Sequence, residues 1–135
     1  QHIAAELSGR FYKDRPPLYA EALHVNSSYM TAVANDYGYE ETYARMVEAS
    51  GRKGDILVGI STSGNSPNVV KAMQNAKEIG MITVGFTGSK GGKMKEICDI
   101  MIQVSSDETP RIQEVHILVG HIICQLIEEE MFPNA

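Results

Sequence analysis

The stretch Asp55-Ile-Leu-Val-Gly-Ile-Ser-Thr-Ser-Gly-Asn-Ser-Pro-Asn68 constrains the fold more than any other part of the chain. Its first half is a short apolar run without polar alternation. Such a run suits a strand buried on both faces. Its second half is small and polar, and Pro67 stands where a helical apolar pattern begins. Proline is favoured at the first helical position because its missing N–H would be unpaired there anyway. Strand, tight loop and helix in this order form half of a βαβ unit, which implies a parallel sheet.

The rest of the chain repeats the alternation. Strands are predicted at 22–26, 55–60, 81–86 and 100–104, all rich in Val, Ile or Leu. Between them, 68–79 carries Val69, Val70, Met73 and Ala76 at helical spacing and stops at Gly80. Further helices are predicted at 27–35, 40–50, 92–97 and 108–131, and the first residues from His2 also read as helix. The expected architecture is one α/β domain over 1–135, a three-layer α/β/α sandwich of flavodoxin-like type around a parallel sheet. The stretch 13–17, with its Pro16-Pro17 pair, reads as a linker. The last helix would turn Ile112, Val115, Val119, Ile122, Ile123, Leu126 and Ile127 inward. That face serves either as core or, in part, as a contact with another subunit.

Charge and cysteines exclude several functions. Lys and Arg number 12 against 17 Asp and Glu, a formal net charge of −5. A chain of that sign has no general attraction to a polyanion, so nucleic acid is not an expected partner. No apolar run approaches the roughly 20 residues that cross a bilayer, so no membrane is expected either. Cys98 and Cys124 lack a CxxC spacing and read as free thiols in a reducing compartment.

The loop after the second predicted strand reads as a phosphate site. It aims backbone N–H groups and the positive end of a helix at the carboxyl edge of the sheet. Ser61, Thr62, Ser63 and Ser66 add hydroxyls, Gly64 allows close backbone approach, and Ser66 is the expected N-cap. The Gly-Lys-Ser/Thr ending of a P-loop and the GxGxxG of a dinucleotide site are both missing. No nucleotide cofactor is therefore expected, and a phosphomonoester is.

Titratable groups with spacing that matters lie at both ends. His2 and Glu6 are four apart and share a helical face. Gln113 and His121 are eight apart, roughly 80° around a helix, which lets both line one pocket. The plainer reading makes His2 and Glu6 a surface pair and His121 a hydrogen-bonded core residue. His116 and Glu114 compete on the same helix, and spacing does not choose among them. His24 reads as structural within its strand, and Asn35-Asp36 as the start of a turn.

Four motifs in order resemble one family. Ser61-Thr-Ser-Gly-Asn-Ser66 after a strand is similar to the sugar-phosphate loop of sugar isomerase (SIS) domains. His2-Ile-Ala-Ala-Glu-Leu-Ser-Gly-Arg10, Asn35-Asp36-Tyr37-Gly38 and Arg111-Ile-Gln-Glu-Val-His-Ile-Leu-Val-Gly-His121 narrow the resemblance to the phosphoheptose isomerases. The resemblance implies an aldose–ketose isomerase acting on sedoheptulose 7-phosphate through an enediolate, at the start of activated-heptose supply for bacterial surface glycans such as lipopolysaccharide. It implies Glu6 and His121 as the acid/base pair, and Ser61, Thr62, Ser63 and Ser66 as the phosphate cradle. It places Asn35 and Asp36 on sugar hydroxyls and Gln113 near the reacting carbons. It further implies a zinc ion on His2, Glu6, Gln113 and His121, and a cytoplasmic homotetramer.

Two departures from the family pattern stand out. A Gly-Asn-Gly-Gly-Ser-Ala-Ala-Asp-Ala run precedes the Gln-His pair in the family, whereas Gln1 is the first residue here. The family order thus implies that an N-terminal strand and helical region lie upstream. Some relatives also carry an acid where Pro110 stands. Two other readings compete. One is a non-catalytic SIS domain that binds a sugar phosphate or a protein such as the replication initiator. The other is a flavodoxin-like cofactor binder, for which no aromatic clamp is visible.

Overall fold

The computed structural model describes residues 1–135. The elements are α1 (His2–Ser8), α2 (Ser27–Tyr37), a 3-10 turn (Tyr39–Glu41), α3 (Thr42–Ser50), β1 (Ile56–Ile60), α4 (Pro67–Ile79), β2 (Ile82–Thr87), α5 (Met94–Ile97), β3 (Ile100–Gln103) and α6 (Thr109–Met131). The three strands form one parallel sheet in the order β1-β2-β3. Ile56 stands opposite Ile82, and Val84 opposite Ile100.

One face of this sheet carries α4, with α3 and α5 beside it. Val47, Ala72, Ala76 and Met81 form one apolar cluster, joined by Leu23, Tyr43, Leu57 and Ile79. Val70, Met73 and Met94 form a second, against Leu57, Val69, Cys98 and Met101. The helix α4 ends as its sequence demands. Gly80 adopts the left-handed conformation, with φ of 89°, and its N–H returns to Ala76 and Lys77 carbonyls. The opposite layer is α6, whose His116 meets the Phe86 ring edge-on at 5.5 Å. The rest of that face, Ile56, Val58, Ile60, Ile82 and Ile100, is exposed.

The expected parallel sandwich is present, with four corrections. Residues 22–26 form no strand. They turn, with Val25 N–H reaching Ala22 O at 3.4 Å, and no strand runs beside them to complete a ladder. A β-rich sequence cannot form a strand without a hydrogen-bonding neighbour. His24, expected within that strand, is instead exposed. The stretch 13–17 is no free linker, because Arg15 within it is buried. The inward stripe of α6 is also rotated. Its buried residues are Ile112, His116, Gly120, Cys124 and Glu128, while Val115, Leu118, Ile122 and Leu126 are exposed. A helix this apolar presents two candidate faces, and contact with α1 decides which one is covered. Both cysteines are free thiols, as expected, with Cys124 buried. No helix is long and apolar enough to cross a membrane.

Candidate active site

The loop between β1 and α4 is folded on itself. Ser61 Oγ lies 2.8 Å from Ser66 Oγ and 3.4 Å from Ser63 Oγ, and Gly64 N–H donates to Ser61 O at 2.9 Å. Ser66 occupies the N-cap position, but its hydroxyl does not cap the helix. It turns to Ser61 instead, which corrects the expected capping bond. The backbone N–H groups of Thr62, Ser63 and Asn68 have no partner. Unpaired donors at a helix N-terminus, ringed by hydroxyls, are the elements of an anion site.

The loop sits against the turn after β2. Gly64 has φ of +67°, and a Cβ there would lie 2.0 Å from Gly91 O. Only glycine permits both that conformation and that approach. Met94 N–H donates to Gly64 O, Lys93 N–H to the Asn65 side chain, and Gly88 N–H to Thr62 O. Beside the loop, an open cleft is lined by Tyr39, Glu40, Ser66, Pro67 and Asn68.

A second cluster joins the two ends of the chain. Gly120 lacks a side chain where a Cβ would stand 2.6 Å from Ile3 Cδ1, so α1 lies close against α6. That approach sets His2 and Glu6 beside His121. His2 Nε2 is 2.8 Å from Glu6 Oε1 and 3.4 Å from His121 Nε2. The pair is therefore more than a surface contact, and geometry selects His121 over His116. The His116 ring is buried and lies 3.1 Å from Thr87 O through Nε2. Its Nδ1 is unpaired.

The trio suits a divalent cation. Its ligand atoms lie within 4.8 Å of one another. Two nitrogens on one tetrahedral ion at the usual bond length stand about 3.3 Å apart. The observed 3.4 Å between the two imidazole nitrogens is close to that spacing. Which of the two facing ring nitrogens carries a hydrogen depends on the tautomers, and a cation shared between them would take a lone pair from each ring. Gln113 is exposed and two turns from His121, about 12 Å along the helix axis. Asn35 and Asp36 lie in the last turn of α2, exposed, with Asn35 Nδ2 donating to Asp36 Oδ1 at 2.9 Å.

Three residues beside the trio carried no signal in the motifs. Phe11 stacks on the His121 ring at 5.6 Å and 29°. Glu128 is buried on α6, paired with Arg15 at 2.9 Å. It also accepts from the N–H groups of Phe11, Tyr12 and Lys13 at 2.8 to 3.0 Å. Burial alone would raise its pKa, but those N–H donors and the Arg15 guanidinium hold it down to about 2. Cys124 lies within the same field. Its thiol is pushed up by burial, with the Glu6 and Glu128 charges adding, so it is a poor nucleophile. Only the position of Glu128, four after Cys124 in the buried series, could have flagged it.

The SIS domain family matches residues 1–88. A phosphoheptose isomerase of Aneurinibacillus thermoaerophilus is 56% identical over 99% of this chain and 68% of its own length. Phosphoheptose isomerase 2 of Campylobacter jejuni is 54% identical over 98% of this chain and 66% of its own. Among solved structures, a phosphoheptose isomerase from Francisella tularensis superposes with a TM-score of 0.92 at 38% identity, covering 96% of this chain and 69% of that one. One from Neisseria gonorrhoeae gives 0.89 at 43%, covering 96% and 68%. The chain thus spans about two thirds of the length of the relatives it matches.

Proposed function

We propose that this chain, which belongs to the phosphoheptose isomerase family of SIS domains, carries the site that interconverts sedoheptulose 7-phosphate and D-glycero-D-manno-heptose 7-phosphate. The family is one of sugar-phosphate isomerases. The observation that carries the reading is the meeting of His2, Glu6 and His121 across α1 and α6. A domain that only bound a sugar phosphate would need the serine loop and not this acid/base group, so the non-catalytic alternative is the weaker one.

The substrate has a phosphate at one end and a reacting carbonyl at the other. Ile112, in the first turn of α6, reaches Gly88 beside the serine loop, and His121 stands nine residues further on. That is about 14 Å of helix, so the two sites suit the two ends of an extended sugar phosphate. The N–H groups of Thr62, Ser63 and Asn68 and the hydroxyls of Ser61, Thr62, Ser63 and Ser66 hold the phosphate. Asn35 and Asp36 contact sugar hydroxyls, and Gln113, one residue after Ile112 on α6, touches the sugar chain between the two sites. These assignments follow the family pattern.

Isomerisation moves one proton between C1 and C2. A Glu6 carboxylate oxygen takes the carbon-bound proton and returns it to the neighbouring carbon. The His121 imidazole, whose ring nitrogens can each donate or accept, gives and takes the proton of the oxygens. His2, bonded to Glu6 Oε1, orients the carboxylate. His2, Glu6 and His121 would hold zinc; the family pattern adds Gln113, which stands about 12 Å along α6 from His121 and apart from the trio. When bound, that ion would polarise the carbonyl and stabilise the enediolate charge. The family's cytoplasmic setting and homotetramer are carried over as part of this reading. The exposed Val115, Leu118, Ile122 and Leu126 of α6 give an assembly an apolar surface.

The test is an assay of the full-length protein with sedoheptulose 7-phosphate, beside Glu6→Gln and His121→Ala. Wild type is expected to form the aldose, and each variant to lose about 10²- to 10⁴-fold in kcat. Absence of any aldose from wild type would overturn the function. Variants at full rate would overturn the residue roles alone. Elemental analysis decides the zinc.

A further inference from the structure

We infer that Arg15, Glu128 and Phe11 form one positioning unit that sets Glu6 and His121 against each other. The inference rests on the isomerase reading for its catalytic meaning, though not for its geometry.

The helix α1 cannot place itself. It has seven residues, no side-chain cap and no basic residue in its last turn. A helix so short is marginal without tertiary contacts. Its last carbonyls lack helical partners, and Arg15 supplies them. Nη2 donates to Glu6 O at 2.9 Å, and Nη1 donates to Leu7 O at 2.7 Å and to Gly9 O at 3.2 Å. The guanidinium therefore grips the backbone of Glu6 itself.

The other end of the guanidinium fixes it to α6. Arg15 Nε donates to Glu128 Oε1, which also accepts from Phe11 N–H, while Oε2 accepts from Tyr12 and Lys13 N–H. Each carboxylate oxygen thus serves two donors. This bonding pins residues 11–13, and the pinned Phe11 ring lies over His121. Glu6 is set through its carbonyl and His121 through its ring, both by the same ion pair. A buried pair is seldom worth its desolvation as a source of stability. What it secures here is the relative placement of two helices, and the chemistry depends on that placement. Misplacement by about 1 Å can cost on the order of a hundredfold in rate.

Glu128→Gln is a severe change, because its amide nitrogen would face two N–H donors, and the variant can fail to fold. Phe11→Leu and Phe11→Tyr leave the ion pair intact and separate the roles. In the full-length protein, Phe11→Leu is expected to lower kcat about tenfold, with KM within about twofold and Tm within about 5 °C. Phe11→Tyr should restore kcat to within about twofold. The His121 ring-proton resonances, read at one pH by NMR, should move downfield in Phe11→Leu and stay in place in Phe11→Tyr. An unchanged kcat in Phe11→Leu, or a loss that only tracks the folded fraction, overturns the positioning role. Unmoved resonances also overturn it, whatever the activity. If wild type shows no isomerase activity while the resonances move, the isomerase reading fails and the geometric unit stands.

Discussion

Glu128 shows how far one residue can depart from what its neighbours in sequence suggest. Its carboxyl is held at about 2 against an ordinary value of 4.5, because four donors oppose the effect of burial. A depressed folded pKa stabilises the protein fully above the unfolded value. That contribution is lost as pH falls through the folded one. Thermal melts should therefore hold Tm level from neutrality to about pH 4.5 and drop from there toward pH 2. Glu128→Gln should melt lower at neutrality and depend less on pH in that window. Parallel slopes for the two proteins would contradict the assignment. Asp99, held low by the Thr83 backbone and side chain, acts in the same direction in both proteins. The sequence displays His2 and Glu6 openly, because their spacing is local. It hides Arg15, whose partner stands 113 positions away and whose Pro-Pro neighbours imitate a linker. Choosing His121 over His116 needed the phase of α6, which Gly120 sets through Ile3.

At the scale of elements, β1 and α4 were legible because everything that makes them is local. An apolar run, a serine loop, Pro67 and a terminal Gly80 each act on adjacent backbone. The stretch 22–26 failed for the opposite reason. A strand exists only with a neighbour, and no composition supplies one. The helix α6 was legible in extent and misread in phase, since apolar residues cover more of its surface than one partner can bury. The loop before α4 makes a prediction at this scale. Ser66 sits at the cap position without capping, and its hydroxyl is paired with Ser61 Oγ in the loop instead of with the helix backbone. Ser66→Ala should change stability by no more than about 1 kcal/mol, the net worth of one hydrogen bond. KM for the sugar phosphate should rise about tenfold, as for one charge-assisted bond lost. Chemical denaturation beside steady-state kinetics separates the two. A large stability loss with unchanged KM would return Ser66 to an ordinary structural cap.

The whole molecule carries a net charge of −5 and is assigned a dianionic substrate. The long-range field therefore opposes binding, and short-range groups must provide it. Two sets of groups are near enough. One is the serine loop, with its unpaired N–H groups and hydroxyls. The other is lysine: Lys93, whose N–H bonds Asn65, and Lys71, which is bound to Glu40 and Glu41. The two sets respond differently to salt. Dipoles and hydroxyls in contact with a phosphate are screened little, whereas repulsion from a distant acidic surface is screened within about 10 Å at 0.1 M salt. If the loop holds the phosphate, KM should stay level or fall slightly as ionic strength rises from about 0.01 to 0.15 M. If exposed lysines hold it, KM should climb steeply over the same range, and Lys93→Ala should abolish the climb. Lys71 offers no free charge to the phosphate, because Glu40 and Glu41 already pair with it. The level profile is the expected one. It would mean that an acidic protein recognises an anion through the direction of its backbone at one strand-to-helix turn, and that its total charge acts only on the approach.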